Sequence, residues 1–306
     1  MAERNTMKVK YGLPYRGSKK AIADKIIEVL PDAENFYDFF AGGGAITHCA
    51  MLSGRWQNIY ANDIQNTMQL FMDAVQGKYR NERRWISREQ FFAEKDTNPY
   101  VRWIWSFGNN GSSYIFGKDV EPIKKAAHEY LMANGYDGTT QTRIRLITAF
   151  KYEMKMQGRF ELQQLEQLER LQQLEVTALD YRDVAIKPNS VIYCDIPYNQ
   201  KKASKEKYYG LTFDTQAFYE WAKGIDHPVY FSSCFCADPD FTEVWSAAKQ
   251  CTMNNKGAHG KKAIVERLYW NGTGERNRTD LFDYSRSSRI DVVLDCRDEV
   301  NNKGGK

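Results

Sequence analysis

The sequence predicts an α/β fold built on an open, mostly parallel sheet, with a mostly helical insertion. Three stretches carry that prediction. Val191-Ile192-Tyr193-Cys194 is an unbroken apolar run entering Asp195, as expected of a strand buried on both faces that ends at the carboxyl edge of a parallel sheet. Residues 35–40, Asn-Phe-Tyr-Asp-Phe-Phe, form a short aromatic strand running straight into Gly42-Gly43-Gly44 and then a helix. Residues 57–62 form a further strand closed by Asp63. Ligands of open α/β sheets bind outside the carboxyl ends of the strands, so the site is expected where these three stretches end.

Composition narrows the class. At 306 residues the chain suits one large domain or a domain carrying an insertion, and 42% hydrophobic with 27% charged residues is ordinary for a globular protein. No apolar run approaches the roughly 20 residues of a membrane helix, and the first ten residues lack the apolar core of a signal peptide. The expectation is a cytoplasmic protein with no membrane partner. The cysteines, at 49, 194, 234, 236, 251 and 296, are scattered, which favours reduced thiols and argues against a zinc site. A net charge of +4 is too small to identify a nucleic-acid partner without its local distribution.

Taken in order, Gly12 to Lys19 is broken by glycine and proline, and Ser18 is a candidate cap for a helix over about 19–30. The strand–glycine–helix unit at 35–47 lets a backbone approach a nucleotide-like ligand closely. Its Gly42-x-Gly44 spacing lacks the third glycine of the dinucleotide fingerprint, which disfavours NAD and FAD. Asp63 follows the glycines by about 20 residues, where an acid in a doubly wound fold takes two ribose hydroxyls; otherwise it caps a helix over 64–75.

Residues 77–160 break this rhythm. Basic residues, among them Arg83, Arg84, Arg102 and Lys118, alternate with Trp85, Trp103, Trp105, Tyr114 and Phe116 around a polar loop containing Asn109 and Asn110. Such interleaving suits phosphates and bases; the plainer reading makes the tryptophans core. Helices are expected over about 119–133 and 139–157. Leu162, Leu165, Leu168, Leu171 and Leu174 recur every third residue, and on a helix of 3.6 residues per turn they slip by about 60° each. No zipper stripe results, and a monomer is expected. Strands follow at 176–181 and 228–233, helices at about 214–224 and 240–249, and a last strand at 263–270. Lys201 and Lys202 lie in a lysine-rich loop over the sheet edge, and Lys261 in a glycine–lysine turn.

The order of these elements is informative: Tyr15-Arg16-Gly17-Ser18-Lys19, Phe40-Ala41-Gly42-Gly43-Gly44, Asp63, a helical insertion, Asp180-Tyr181, then Asp195-Ile196-Pro197-Tyr198. It resembles the Dam-type DNA adenine methyltransferases over about 11–272, with Asp-Ile-Pro-Tyr in place of the family's Asp-Pro-Pro-Tyr. The resemblance implies a Rossmann-like S-adenosylmethionine-dependent methyltransferase fold acting on double-stranded DNA, with no metal. By position it implies a cofactor site made of Tyr15, Lys19, Asp38, Gly42, Gly44, Asp63, Asp180, Tyr181 and Asp195. Asp195, Ile196, Pro197 and Tyr198 become the catalytic motif. DNA contacts fall to Arg83, Arg84, Arg102, Asn109, Asn110, Lys118, Lys201, Lys202 and Lys261. The implied domains are a discontinuous catalytic domain, 1–76 with 172–296, a DNA-recognition insertion, 77–171, and a polar tail, 297–306. Two other readings stay open: the amine of cytosine or of RNA as substrate, and a DNA-binding homologue with a decayed site.

The chemistry agrees with the motif. Adenine's amino nitrogen is a poor nucleophile because its lone pair is delocalised into the ring. Asp195 and the Ile196 carbonyl can each accept one of its hydrogens and aim the lone pair, while Tyr198 stacks on a base drawn out of the duplex.

Overall fold

The computed structural model describes residues 11–79, 82, 84–134, 174–197, 207–208, 211–250 and 263–274. By internal contacts Met1–Glu275 forms one unit; a second, Arg276–Lys306, lies outside the described residues.

The sheet is built from β1 (Asn35–Phe39), β2 (Asn58–Asn62), β3 (Leu174–Thr177), β4 (Ser190–Cys194), β7 (Val229–Ser233), β8 (Thr242–Gln250) and β9 (Ala263–Trp270). A separate short hairpin pairs β5 (Lys207–Tyr208) with β6 (Leu211–Thr212). The seven strands lie in the order β3-β2-β1-β4-β7-β9-β8. All neighbouring pairs from β3 to β7 are parallel, and β9 runs antiparallel to both β7 and β8. The chain winds outward from β1 to β3, then crosses back to β4. The order therefore reverses between β1 and β4, the position at which open α/β sheets form a ligand crevice at their carboxyl edge.

Alternation along the central strands supplies two cores. Phe36, Val191, Tyr193 and Tyr230 point into one, with Ile26, Ile46 and Phe71 from helices α1 (Ala23–Val29), α2 (Ala45–Ser53) and α3 (Thr67–Val75). Tyr37, Phe39, Ile192, Cys194 and Phe231 point into the other, against Phe218 and Ala222 of α7 (Thr215–Gly224). Covering both faces explains why β1 and β4 are buried along their whole length. Between α3 and β3 lie α4 (Arg88–Glu94), α5 (Pro99–Ile104) and α6 (Glu121–Asn134). Ser87 and Gln90 form a reciprocal capping box at the start of α4, and Asn98 caps α5 with proline at its first position.

Several expectations change. Residues 240–249 form strand β8, although Ala247-Ala248-Lys249 favours helix. Pairing along nearly the whole of β9, with Phe241 and Val244 buried, overrides that preference. Ser18 does not cap α1: residues 19–22 make a turn closed by the Ile22 amide on the Lys19 carbonyl, and the helix begins at Ala23. α3 begins at Thr67, so Asp63 is not its cap. The strand expected at 176–181 is Leu174–Thr177, and Asp180 instead caps a 3-10 turn over Tyr181–Asp183. The expected helix at 139–157 and most of the leucine run lie outside the described residues.

Candidate active site

The turn leaving β1 is the floor of the crevice. Phe40 adopts φ 61°, Gly42 53° and Gly44 71°, a left-handed succession that bends the chain sharply into α2. Tyr15 covers it: a Cβ on Gly42 would stand 2.9 Å from the Tyr15 ring, and one on Gly43 2.5 Å from the Tyr15 Cβ. Tyr15 in turn leans on Trp103 of α5, with ring centroids 5.1 Å apart. The segment around Gly12 is pinned to the same turn, because the Leu13 amide donates to the Gly43 carbonyl and the Gly12 amide to His48 Nδ1 at 3.0 Å.

Asp63 braces the turn from β2. Its Oδ2 accepts from the Gly42 amide at 2.8 Å and its Oδ1 from the Gln65 amide at 2.9 Å. Burial raises its carboxyl pKa, while the amides of Gln65 and Gly42 and the charge of Arg102 act the other way. Asp38, inside β1, is fully enclosed. Its Oδ2 accepts from the amide and hydroxyl of Thr47 at 3.0 and 2.6 Å, and its Oδ1 has no partner among the described residues. Burial pushes Asp38 up to about 7; the Thr47 hydroxyl opposes this and the Asp195 charge adds to it.

At the end of β4 stands Asp195, with its amide 3.4 Å from the Phe39 carbonyl. Its Oδ1 accepts from Lys19 Nζ at 2.6 Å, and the same ammonium lies 3.7 Å from Glu266 Oε1 of β9. The lysine and Glu266 side chains are almost wholly buried and Asp195 is partly open. Ile196 is buried in the second core and Pro197 is half-buried. Tyr198 lies outside the described residues.

On the other side of the glycine turn, Tyr181 packs 5.3 Å from Phe40, 5.0 Å from Trp221 and 6.2 Å from Phe213, forming an aromatic rim. Asn62 locks this segment to β2 through the Leu179 amide and carbonyl. Asp180 is held below the usual carboxylate range by Arg182, which donates to both of its oxygens at 2.8 Å.

Contacts thus link Tyr15, Gly42 and Asp63, and join Lys19 to Asp195, at one sheet edge. Gly44, Asp38 and Tyr181 adjoin the same turn, and Asp180 precedes Tyr181 and pairs with Arg182. The expected DNA contacts are more scattered. Arg83, Lys201, Lys202 and Lys261 lie outside the described residues. Arg84 pairs with Glu82 at 2.9 Å, and Lys118 is exposed. Arg102 is half-buried over Trp103. Asn109 and Asn110 serve their own loop, Asn109 donating to the Trp103 carbonyl and Asn110 accepting the Ser112 and Ser113 amides. Trp103, Trp105, Tyr114 and Phe116 are buried core residues, not open stacking plates.

Sequence reasoning missed Glu266, Thr47, Phe40 and Phe213. A signal existed for Glu266: in Ile264-Val265-Glu266-Arg267-Leu268, strand alternation puts the acid on the face of Leu268.

Comparison with known proteins points the same way. A family model described as D12 class N6 adenine-specific DNA methyltransferase matches residues 15–235. No curated protein matches the chain. Among solved structures the chain is similar to one titled "Crystal structure of 23S rRNA methyltransferase ErmE". The identity is 10% over 85% of this chain and 70% of that chain, and at a TM-score of 0.31 the likeness carries no argument.

Proposed function

Because the chain belongs to the D12 class N6 adenine-specific DNA methyltransferase family, we propose that the β4 edge receives the target adenine and the β1 turn holds S-adenosylmethionine. The observation that carries this reading is the meeting of the Gly42–Gly44 turn, the buried acids Asp38 and Asp63, and the Lys19–Asp195 pair at one switch point of the sheet.

The residues fit such a cofactor. Gly42 and Gly43 leave no space for a side chain beneath Tyr15, so the turn keeps its backbone close against that ring. Asp63 spends one acceptor site of each oxygen on backbone amides, leaving the others for ribose hydroxyls. Asp38 Oδ1, enclosed and without a partner among the described residues, is an acceptor in reserve at the methionine end. Tyr181, with Phe40 and Phe213, offers an aromatic wall for an adenine ring. Asp180 is proposed to lie beside that ring.

When bound, the sulfonium supplies an electrophilic methyl group. The chain supplies position and charge. Asp195 and the Ile196 carbonyl each accept one amino hydrogen of the adenine, turning the nitrogen lone pair toward the methyl group. The Asp195 carboxylate would stabilise positive charge developing on that nitrogen. Pro197 holds Ile196 in the extended region, so the carbonyl keeps its aim although the family's first proline is absent. Tyr198 stacks on the extruded base, worth roughly 1–3 kcal/mol, against an unstacking cost of a few kcal/mol. Residues 1–76 with 172–296 form the catalytic part and 77–171 the DNA-reading part, with the basic residues of the latter on phosphates.

The test is methyl transfer from tritiated S-adenosylmethionine to unmethylated duplex DNA, followed by identification of the modified base. N6-methyladenine in duplex DNA supports the reading. Label on cytosine, binding without transfer, or label only on RNA in a parallel reaction that offers RNA as acceptor overturns it.

A further inference from the structure

Arg102 lies in the last turn of α5, within the insertion, yet it is held against the cofactor side of the crevice. Its guanidinium sits over the Trp103 ring at 5.1 Å. The Trp103 ring packs on Tyr15, which covers Gly42 and Gly43. Gly111 lets the stack close: a Cβ there would stand 2.8 Å from the Trp103 ring and 3.2 Å from Arg102 Nε. The guanidinium is also near enough to Asp63 for its charge to act on that acid. No carboxylate stands within ion-pair distance of Arg102 among the described residues. Its Nε is closed off from solvent without an acceptor, so the terminal Nη pair is the edge through which this half-buried side chain can meet a ligand. A partly desolvated cation with unfilled donors calls for an anion.

S-adenosylmethionine carries one. Its sulfonium and ammonium suit the acids of the crevice, Asp38, Asp63 and Asp195, but the same acids repel its carboxylate. Lys19 is bonded to Asp195. The two Nη groups of an arginine present parallel N–H donors that match the two oxygens of a carboxylate. Resting on the S-adenosylmethionine reading above, we propose that Arg102 binds the carboxylate at the cofactor's amino-acid end, with Trp103 and Gly111 holding the guanidinium in place. Arg102 thus serves the cofactor, and the DNA backbone is left to exposed cations such as Lys118. One element of the insertion thereby completes the cofactor pocket.

Cofactor fragments separate this contact by chemistry. Decarboxylated S-adenosylmethionine keeps the sulfonium and the amine and lacks only the carboxylate. Methylthioadenosine keeps adenine and ribose and lacks the whole amino-acid end. Calorimetric affinities for these and for S-adenosylmethionine are measured without DNA on the full chain and on Arg102→Gln. The variant should bind S-adenosylmethionine about tenfold more weakly, with the decarboxylated compound no weaker and methylthioadenosine unchanged. Equal weakening of all the compounds would make Arg102 a packing residue and overturn the proposal, as would an unchanged affinity for S-adenosylmethionine. Arg102→Met keeps an apolar stem against Trp103 and gives the same readout if Arg102→Gln does not fold. DNA affinity that falls while the cofactor affinities hold would assign Arg102 to a phosphate and also overturn the proposal. A parent that binds none of the compounds removes the cofactor reading and the proposal together; a parent that binds S-adenosylmethionine with an affinity insensitive to Arg102 removes the proposal alone.

Discussion

Lys19 Nζ and Asp195 Oδ1 meet at 2.6 Å although 176 positions separate them, and β1 with its glycine turn lies between them in sequence. The acid is thereby tied to the amino-terminal segment that also covers the turn.

Asp195→Asn tests the acceptor role. The amide keeps one acceptor oxygen, so adenine can still enter, but it loses the charge that stabilises the amine cation. The methylation rate in single turnover should fall more than tenfold, each factor of ten being about 1.4 kcal/mol of barrier. Transfer at the parental rate would refute the role.

Gly42→Ala tests the turn. Its φ of 53° disfavours a side chain, and the new Cβ would stand 2.9 Å from the Tyr15 ring. The variant should lose on the order of 1–3 kcal/mol in chemical denaturation. Adding Tyr15→Ala removes the ring contact but not the backbone penalty, so it should recover only part of the loss. Full recovery, or none, would show that the two terms have been misjudged.

His48 predicts a pH dependence of stability. Its Nδ1 accepts the Gly12 amide, and burial between Tyr11 and Phe71 pushes its pKa down to about 4. The folded value lies below the ordinary value of about 6.5, so the folded state resists protonation. Its contribution is complete above about pH 6.5 and is lost as pH falls toward 4, up to about 3 kcal/mol. Urea denaturation midpoints across that window should fall less in His48→Gln than in the parent. Equal slopes would mean that the ring is not held neutral by the fold.

The aromatic rim predicts an effect that ignores charge. Tyr181→Leu removes ring contacts with Phe40, Phe213 and Trp221, each worth about 0.5–1.5 kcal/mol beyond burial. Affinity for S-adenosylmethionine and for S-adenosylhomocysteine should drop together. A selective loss of one would place the adenine elsewhere.

Much of this was legible in the sequence where one physical demand dominates. β1 and β4 had to be rich in large apolar residues because helices cover both sheet faces, and the left-handed turn after β1 had to draw on glycine. The acids at 63 and 195 were visible as strand endings. Other features depend on contacts that no local pattern encodes. Residues 240–249 look helical until β9 supplies a pairing edge. The tryptophans at 103 and 105 resemble a nucleic-acid surface because arginines and lysines surround them, yet they are core. Asn109 and Asn110 look like base readers, but their amides close a loop. Glu266 was readable from alternation, while its nearness to Lys19 came only from the fold.

The placement of β9 bears on how the protein is made. β8 precedes β9 in the chain, yet among the described strands it pairs with β9, which lies between β7 and β8. During synthesis β8 therefore has no edge to join until residues 263–270 have left the ribosome. β8 can pair only with β9 or after it, so both strands join the sheet late. Glu266 arrives with β9, so the side chains around Lys19 are completed at the emergence of a single strand, after every other described part of the crevice has been translated.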